Sequence, residues 1–129
     1  GLVGNDFGDA VRFAANFVEE DCPEFEKAGV DLEVFRAFAE GFLSKTAHTL
    51  TALEASTLAL SCFALTAELS TRFLADYIEG DVYFKIHYPD HNLVRCHTQF
   101  ALVADIERKY DEMMEITAKA YKEICGKEF

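Results

Sequence analysis

The chain has 129 residues, of which half are hydrophobic and 27% are charged, so it has the composition of one folded domain and not of a disordered segment. Its formal net charge of −11 argues against nucleic acid as a partner, because phosphate binding needs clustered Lys and Arg. The apolar run 57–69 is short and interrupted by polar residues, so we expect no membrane partner.

Cysteine usage and the start of the chain indicate the compartment. The four cysteines are widely spaced and form no CxxC pair, so we expect reduced thiols. No basic segment followed by an apolar stretch opens the chain, as a secretory signal would. We therefore expect a cytoplasmic protein. The first residue is Gly and not Met, which is compatible with a fragment.

Helical signals dominate the first half of the chain. Residues 1–5 are predicted to form a loop, after which Asp6 or Asp9 is expected to cap a helix that ends near Glu20. Apolar residues at helical spacing then predict a second, amphipathic helix over residues 31–45, with its first residue as the cap.

The third predicted helix has the clearest start in the sequence. Thr51 and Glu54 have the spacing of a capping box, in which each side chain accepts a hydrogen bond from the other residue's amide. The helix is expected to run to Glu79 and to stop at Gly80. Because apolar residues lie on every face over residues 53–69, we expect this helix to be surrounded by others.

The rest of the chain is predicted to be an irregular link over residues 81–89 and one long helix from Asp90 or Asn92 to about Cys125. The expected buried stripe of this helix is Leu93, Phe100, Val103, Ile106, Tyr110 and Met113. Since any strand in the link would have no partner, the sequence predicts an all-α helical bundle forming a single domain over residues 1–129.

No familiar catalytic or metal-binding pattern is present. His87 and His91 straddle Pro89, and His97 beside Cys96 adds no spacing typical of zinc, so solvated or locally hydrogen-bonded histidines are expected. The sequence contains neither GxSxG nor a Walker-type loop. On motifs alone, the chain has no complete set of catalytic residues.

Two segments invite a functional interpretation. In residues 5–9, two carboxylates flank Phe-Gly, and Asp9 either caps a helix or supports a neighbouring loop. Arg72 lies in an otherwise apolar helix, where a cation is costly to bury without an anion or a polar ligand. It either pairs with Asp76, four residues further on, or faces a ligand together with Tyr83, just past the helix stop.

These segments carry a resemblance to a known family. Residues 6–13, Asp-Phe-Gly-Asp-Ala-Val-Arg-Phe, resemble the segment after the metal-binding Asp in bacterial sugar kinases of the aminoglycoside phosphotransferase family. Residues 72–85 and 91–100 resemble the C-terminal part of the same enzymes, especially the N-acetylhexosamine 1-kinase group. The resemblance implies the helical C-terminal lobe of a protein-kinase-like fold.

The resemblance also implies roles for individual residues. Arg72 and Tyr83 match sugar-contacting residues, and Tyr110 occupies the position of a sugar-contacting Trp. Asp9 matches a residue that braces the catalytic loop without reacting. The family's catalytic Asp and its sites for ATP and Mg²⁺ would lie upstream of Gly1, so no catalytic residue, cofactor or metal is expected within the chain.

The function implied is that of the acceptor-binding lobe of an ATP-dependent phosphotransferase that acts on a sugar or amino-sugar hydroxyl. The lobe would be inactive without its N-terminal partner lobe. A lobe without its partner exposes apolar surface, so we expect self-association or a loose region at the N-terminal loop and helix. The alternative is a stand-alone helical binding module, in which Arg72 merely pairs with Asp76.

Overall fold

The computed structural model describes residues 2–46 and 49–129, and over these residues the protein is all-α, as the sequence predicts. Six α-helices are present in the described ranges: α1 (Leu2–Ala14), α2 (Leu32–Thr46), α3 (Ala52–Ser56), α4 (Leu58–Ile78), α5 (His91–Arg108) and α6 (Tyr110–Cys125). A single 3-10 turn (Phe25–Lys27) lies in the α1–α2 connection.

Helix α4 organises the bundle. It packs against both α1 and α5, while α2 pairs with α6. Helix α1 approaches α4 closely because Gly8 has no side chain, and a Cβ there would lie 2.9 Å from the backbone oxygen of Ser61. One hydrophobic core joins the helices, and its larger buried side chains are Phe7, Val11, Phe35, Leu43, Leu58, Leu102, Ile106 and Met113.

The first helix differs from its prediction at both ends. It begins at Leu2, so the predicted loop is wrong for residues 2–5, and Asp6 and Asp9 lie inside the helix and cap nothing. Gly1 lies outside the described residues. The helix ends at Ala14, well before Glu20, because the next residues bond to the strand-like segment 29–31. That tertiary contact has no signal in the local sequence.

The predicted caps of the next two helices are confirmed. Asp31 precedes α2, and its side chain accepts the backbone amides of Glu33 and Val34 at 3.0 and 3.3 Å. The Thr51 hydroxyl accepts the Glu54 amide at 3.1 Å, and the Glu54 carboxylate accepts the Thr51 amide at 3.0 Å.

The long helix that follows the capping box is interrupted, and it is not surrounded. It breaks at Thr57 into α3 and α4, and it ends at Ile78, close to the predicted stop at Gly80, whose φ is 99°. Leu60 and Ile78 are 50% and 74% exposed, so only one face of α4 is buried. That face is formed by Leu58, Ala59, Cys62, Thr66, Ser70, Phe73 and Asp76.

Helix α4 also has the length and apolar composition of a membrane-spanning helix, although the run 57–69 alone does not. A third of its most apolar window is buried within the bundle. The hydroxyls on its buried face are satisfied inside the helix, since Thr66 donates to the Cys62 carbonyl and Ser70 to the Thr66 carbonyl. A core helix passes the same length and composition test, so the finding is weak evidence for a membrane.

The predicted last helix is two helices, because the chain breaks at Lys109 between α5 and α6. Ile106 and Met113 are buried as expected, but Phe100 is 44% exposed. In its place, α5 buries mainly polar side chains, namely His91, Asn92, Thr98, Gln99 and Asp105. An apolar stripe could not predict these polar positions, because partners such as Asp21, Asp76 and Arg12 are distant in the sequence.

Candidate functional site

Buried polar side chains gather where the C-terminal half of α4, the link 79–90 and the start of α5 meet. Asp76, His91 and Asn92 are all buried there. Burying such groups costs free energy unless they are hydrogen-bonded, and their concentration at one place is a frequent mark of a functional site. The link itself is irregular, as predicted.

Asp76 holds the link against α4. Its carboxylate accepts the backbone amides of Tyr83 at 2.8 Å and Phe84 at 3.0 Å, and the side-chain amide of Asn92 at 2.7 Å. We call these three hydrogen bonds the Asp76 clamp. Burial alone would raise the pKa of this carboxyl, but the donors from Phe84, Tyr83 and Asn92 outweigh burial, and the pKa is lowered.

The turn that brings the link back to Asp76 requires positive φ angles at two successive residues. Gly80 has a φ of 99° and Asp81 a φ of 61°. Glycine adopts the first without steric cost, and aspartate is one of the few other residues that tolerate the second. The Asp81 carboxylate also accepts a hydrogen bond from Asn92 at 3.1 Å. The turn and the Asp76 clamp therefore share a donor side chain.

The clamp places Tyr83 beside Arg72. The guanidinium carbon of Arg72 lies 5.4 Å from the ring centroid of Tyr83 and 5.7 Å from that of Phe84. Phe84 in turn packs on the buried Phe73, with ring centroids 4.7 Å apart. Arg72 and Tyr83 are both exposed, and together they form what we call the Arg72–Tyr83 surface.

The structure does not contain the local ion pair between Arg72 and Asp76. Both oxygens of the Asp76 carboxylate are used by the clamp, and Arg72 turns toward the two rings. Within the described part of the chain, no side-chain hydrogen bond or ion pair involves Arg72, so its donor groups remain open to a ligand. Of the two sequence interpretations of Arg72, the structure removes the local pair.

Arg95 fixes the far side of the link. It donates to the Lys85 carbonyl and to the side-chain oxygen of Asn92, both at 3.0 Å. Its guanidinium carbon lies 5.6 Å from the ring centroid of Phe73. One arginine thus connects the link, the clamp residue Asn92 and the aromatic base of the Arg72–Tyr83 surface.

His91 is buried and not solvated, and its partner is distant in sequence. Its Nε2 lies 2.9 Å from the Asp21 carboxylate, and its Nδ1 accepts the backbone amide of His87 at 3.1 Å. These partners assign the proton of the neutral ring to Nε2. The hydrogen bond from His91 lowers the pKa of Asp21. In the residues the structure describes, no group of three or more His, Cys, Asp or Glu could hold a metal ion.

A second polar network lies at the end of α1. The buried Arg12 donates to Asp9 at 3.0 Å, to Glu20 and to Gln99 at 3.3 Å. Asp9 is thus an exposed partner of Arg12, and the structure describes no other hydrogen bond of its side chain. Beside the network is an open cleft of about 820 Å³, whose lining includes Arg12, Phe13, Phe17, Glu20 and Arg95.

Sequence reasoning missed most of these polar residues. Arg12 had one available signal, because helical spacing places it beside the small residues Gly8 and Ala15, and a charge buried there must be paired. Asn92 and Gln99 had no such signal, since uncharged amide side chains are common on protein surfaces and the sequence does not mark them as buried. Their role depends on partners that are distant in the sequence, such as Asp76 and Arg12.

The structure brings Arg72 and Tyr83 together but not Tyr110. Tyr110 begins α6 and packs, partly buried, against the hydrophobic core. The Asp76 clamp lies at the first turn of α5, whereas Tyr110 follows the last. A helix of 18 residues is about 27 Å long, so the length of α5 separates Tyr110 from the Arg72–Tyr83 surface.

No model of a known protein family matches the chain. An exposed tyrosine ring offers an apolar face, and the neighbouring guanidinium offers donors fixed in a plane. A ligand that has both an apolar face and hydrogen-bond acceptors would satisfy the two groups at once.

Proposed function

We propose that the chain is the acceptor-binding helical part of an ATP-dependent phosphotransferase that acts on a sugar or amino-sugar hydroxyl. The observation that carries the proposal is the Arg72–Tyr83 surface, in which an exposed guanidinium and an exposed aromatic ring lie 5.4 Å apart. The resemblance of residues 72–85 to sugar kinases supports the same assignment.

A pyranose ring suits this pair of groups. Its axial C–H groups form an apolar face that packs on an aromatic ring, and its hydroxyls and ring oxygen accept hydrogen bonds from a guanidinium. The N-acetyl group of an amino sugar adds a carbonyl acceptor. Because the Asp76 clamp fixes Tyr83 before any ligand arrives, binding would lose little conformational entropy in the link.

The chemical step would use groups outside these residues. In the proposal, ATP, Mg²⁺ and the catalytic Asp belong to a partner lobe that precedes Gly1, and Asp9 supports the catalytic loop from α1. The role of the present chain is to bind and orient the acceptor. Orientation of a hydroxyl for in-line attack is a large part of phosphoryl transfer.

Tyr110 has no direct part in an acceptor held between Arg72 and Tyr83, because the length of α5 lies between them. The resemblance predicts the opposite, a sugar contact at Tyr110. The two versions differ in one variant, Tyr110→Leu, which removes the ring and keeps an apolar side chain in the core. If Tyr110 is only a core residue, this variant should leave the affinity for sugar unchanged.

The proposal is tested by calorimetric titration of the chain with N-acetylhexosamines. The native chain should bind weakly and saturably, and Arg72→Ala should weaken binding by about ten-fold or more, since it removes a charged hydrogen-bond donor. Arg36→Ala is the matched control, because Arg36 is an exposed arginine on α2. No binding by the native chain, or equal binding by both variants, would contradict the proposal.

The stand-alone binding module remains the second candidate, and the exposed apolar side of α4 favours it. The coding sequence upstream of Gly1 distinguishes the two. The phosphotransferase proposal expects an upstream reading frame encoding a nucleotide-binding lobe and a catalytic loop. A start codon directly before Gly1 would favour the module. Sugar-dependent ATP turnover by the 129-residue chain alone would contradict the assignment of the chemical step to a partner lobe.

A further inference from the structure

Helix α4 leaves a stripe of mostly apolar and small side chains uncovered. Leu60 and Ile78 are 50% and 74% exposed, and Ala64, Thr71 and Ala75 between them are exposed as well. At 3.6 residues per turn these five positions fall within about 60° of arc, on the side opposite the buried face. The stripe is about 27 Å long, the length of an ordinary helix–helix contact.

The stripe has larger side chains at its ends and small ones in its middle. Leu60 and Ile78 are centred on residue 69, and Ala64 and Ala75 are centred between residues 69 and 70. If a second copy of the helix lay antiparallel across the first, with its two-fold axis beside residues 69–70, Leu60 would face Ile78 of the other copy. Ala64 would face Ala75, and the small side chains would let the two backbones approach closely.

Two charged residues at one edge of the stripe lie on opposite sides of the proposed two-fold axis, at nearly equal distances from it. Glu68 and Arg72 are both exposed, lie on the same edge, and are centred on residue 70. A two-fold axis perpendicular to the helices brings identical edges together, so Glu68 of each copy would approach Arg72 of the other. Arg72 contacts Tyr83 and Phe84 within its own chain, and its hydrogen-bond donors remain free in the described structure.

We propose that the stripe is a docking surface for a second copy of this chain, in an antiparallel α4–α4 pair. A two-fold interface requires that the side-chain sizes and charges of a surface match those of the same surface turned by 180°. The stripe meets this requirement closely, whereas a partner helix of different sequence would not need it to. The proposal does not rest on sugar binding, although Arg72 belongs to both surfaces.

The oligomeric state of charge variants tests the pairing. Sedimentation equilibrium should give a concentration-dependent dimer for the native chain. Glu68→Arg and Arg72→Glu should each weaken the dimer about ten-fold, because two-fold symmetry repeats every like-charge contact. The double exchange Glu68→Arg with Arg72→Glu should restore most of the affinity. A double exchange as weak as either single variant would overturn the antiparallel register.

A second variant tests the surface itself. Ala64→Glu introduces a charge in the middle of the stripe and should give a monomer, while Ala104→Glu, an exposed alanine on α5, should leave the dimer intact. Circular dichroism establishes that each variant is folded. A native chain that is monomeric over the whole concentration range would overturn the proposal and assign the stripe to another occupant. Sugar binding by the monomeric Ala64→Glu would show that the proposed function stands apart from dimerisation.

Discussion

Asp76 lies one turn after Arg72, where an ion pair along the helix is the simplest expectation. The carboxylate is buried, and at a buried position several backbone donors satisfy an anion better than one flexible exposed cation does. The returning link supplies those donors through the amides of Tyr83 and Phe84. The sequence predicted that Arg72 and Tyr83 are neighbours. It could not predict that Asp76 is the residue that holds the link beside Arg72.

The clamp should weaken in acid. The lowered pKa of Asp76 means that its stabilising effect is complete above the ordinary carboxyl value of 3.8 and is lost as the pH falls through the folded-state value. We expect the amide resonances of Tyr83 and Phe84 to shift together below about pH 3.8. Asp76→Asn should abolish this shared transition. Amides that move independently of each other would contradict a common acceptor.

Cysteine reactivity should divide the four thiols into two classes. Burial raises the pKa of Cys62 to about 12 and also raises that of Cys96. Cys22 and Cys125 are only partly buried. Because the thiolate is the reactive form, we expect iodoacetamide to label Cys22 and Cys125 first at mildly alkaline pH. Mass spectrometry of digested samples measures the order, and early labelling of Cys62 would contradict the packing of α4.

At the scale of elements, the contact between α1 and α4 depends on the absence of a side chain at Gly8. Gly8→Ala adds a Cβ that would meet the Ser61 backbone at 2.9 Å, where no side chain can move aside. We expect a loss of about 1–2 kcal/mol in the free energy of unfolding, since overpacking outweighs the gain in helix propensity. Urea denaturation provides the measurement.

The matched control is Gly41→Ala in α2, where an added Cβ has no neighbour within 4 Å. This change should stabilise the protein by up to about 1 kcal/mol through helix propensity alone. Equal effects of the two substitutions would contradict the close approach of α1 to α4.

Helix starts could be predicted from the sequence, but helix breaks could not. The Asp31 cap and the Thr51–Glu54 capping box depend on residues within three positions of each other, so local sequence is enough. The early end of α1 depends on the distant segment 29–31, and Asp105, which holds Val30 at 2.8 Å, lies further still along the chain. Such contacts compete with local propensity and leave no periodic pattern.

At the scale of the whole molecule, apolar periodicity predicted an all-α bundle with α4 as its organising helix, and the structure confirms this. It also predicted that α4 is surrounded, which is wrong, because apolar residues on every face do not say how many neighbours exist.

Of the proposed site residues, Arg72 and Tyr83 lie together and Tyr110 lies beyond the far end of α5. The sequence could predict that Arg72 and Tyr83 are close, because α4 leads directly into the link. It could not predict the direction of α5, which separates Tyr110 from them.

The uncovered stripe of α4 and the Arg72–Tyr83 surface adjoin each other along one side of the bundle. Arg72 belongs to both, since its guanidinium lies over Tyr83 and its position borders the stripe. If both proposals hold, dimerisation should alter sugar affinity, because Glu68 of the second copy and the sugar would share one guanidinium. Titration of sugar at increasing protein concentration measures this coupling, and an affinity independent of concentration would indicate that the two surfaces do not interact.

The proposal that the Arg72–Tyr83 surface binds the sugar is tested most directly by locating the amide resonances that shift when an N-acetylhexosamine is added. We predict that the shifts concentrate at Arg72, Tyr83 and Phe84, where the Asp76 clamp holds the Arg72–Tyr83 surface in place. Shifts confined to the cleft beside Phe13 and Phe17, or the absence of any saturable shift, would contradict the assignment of this surface as the sugar site.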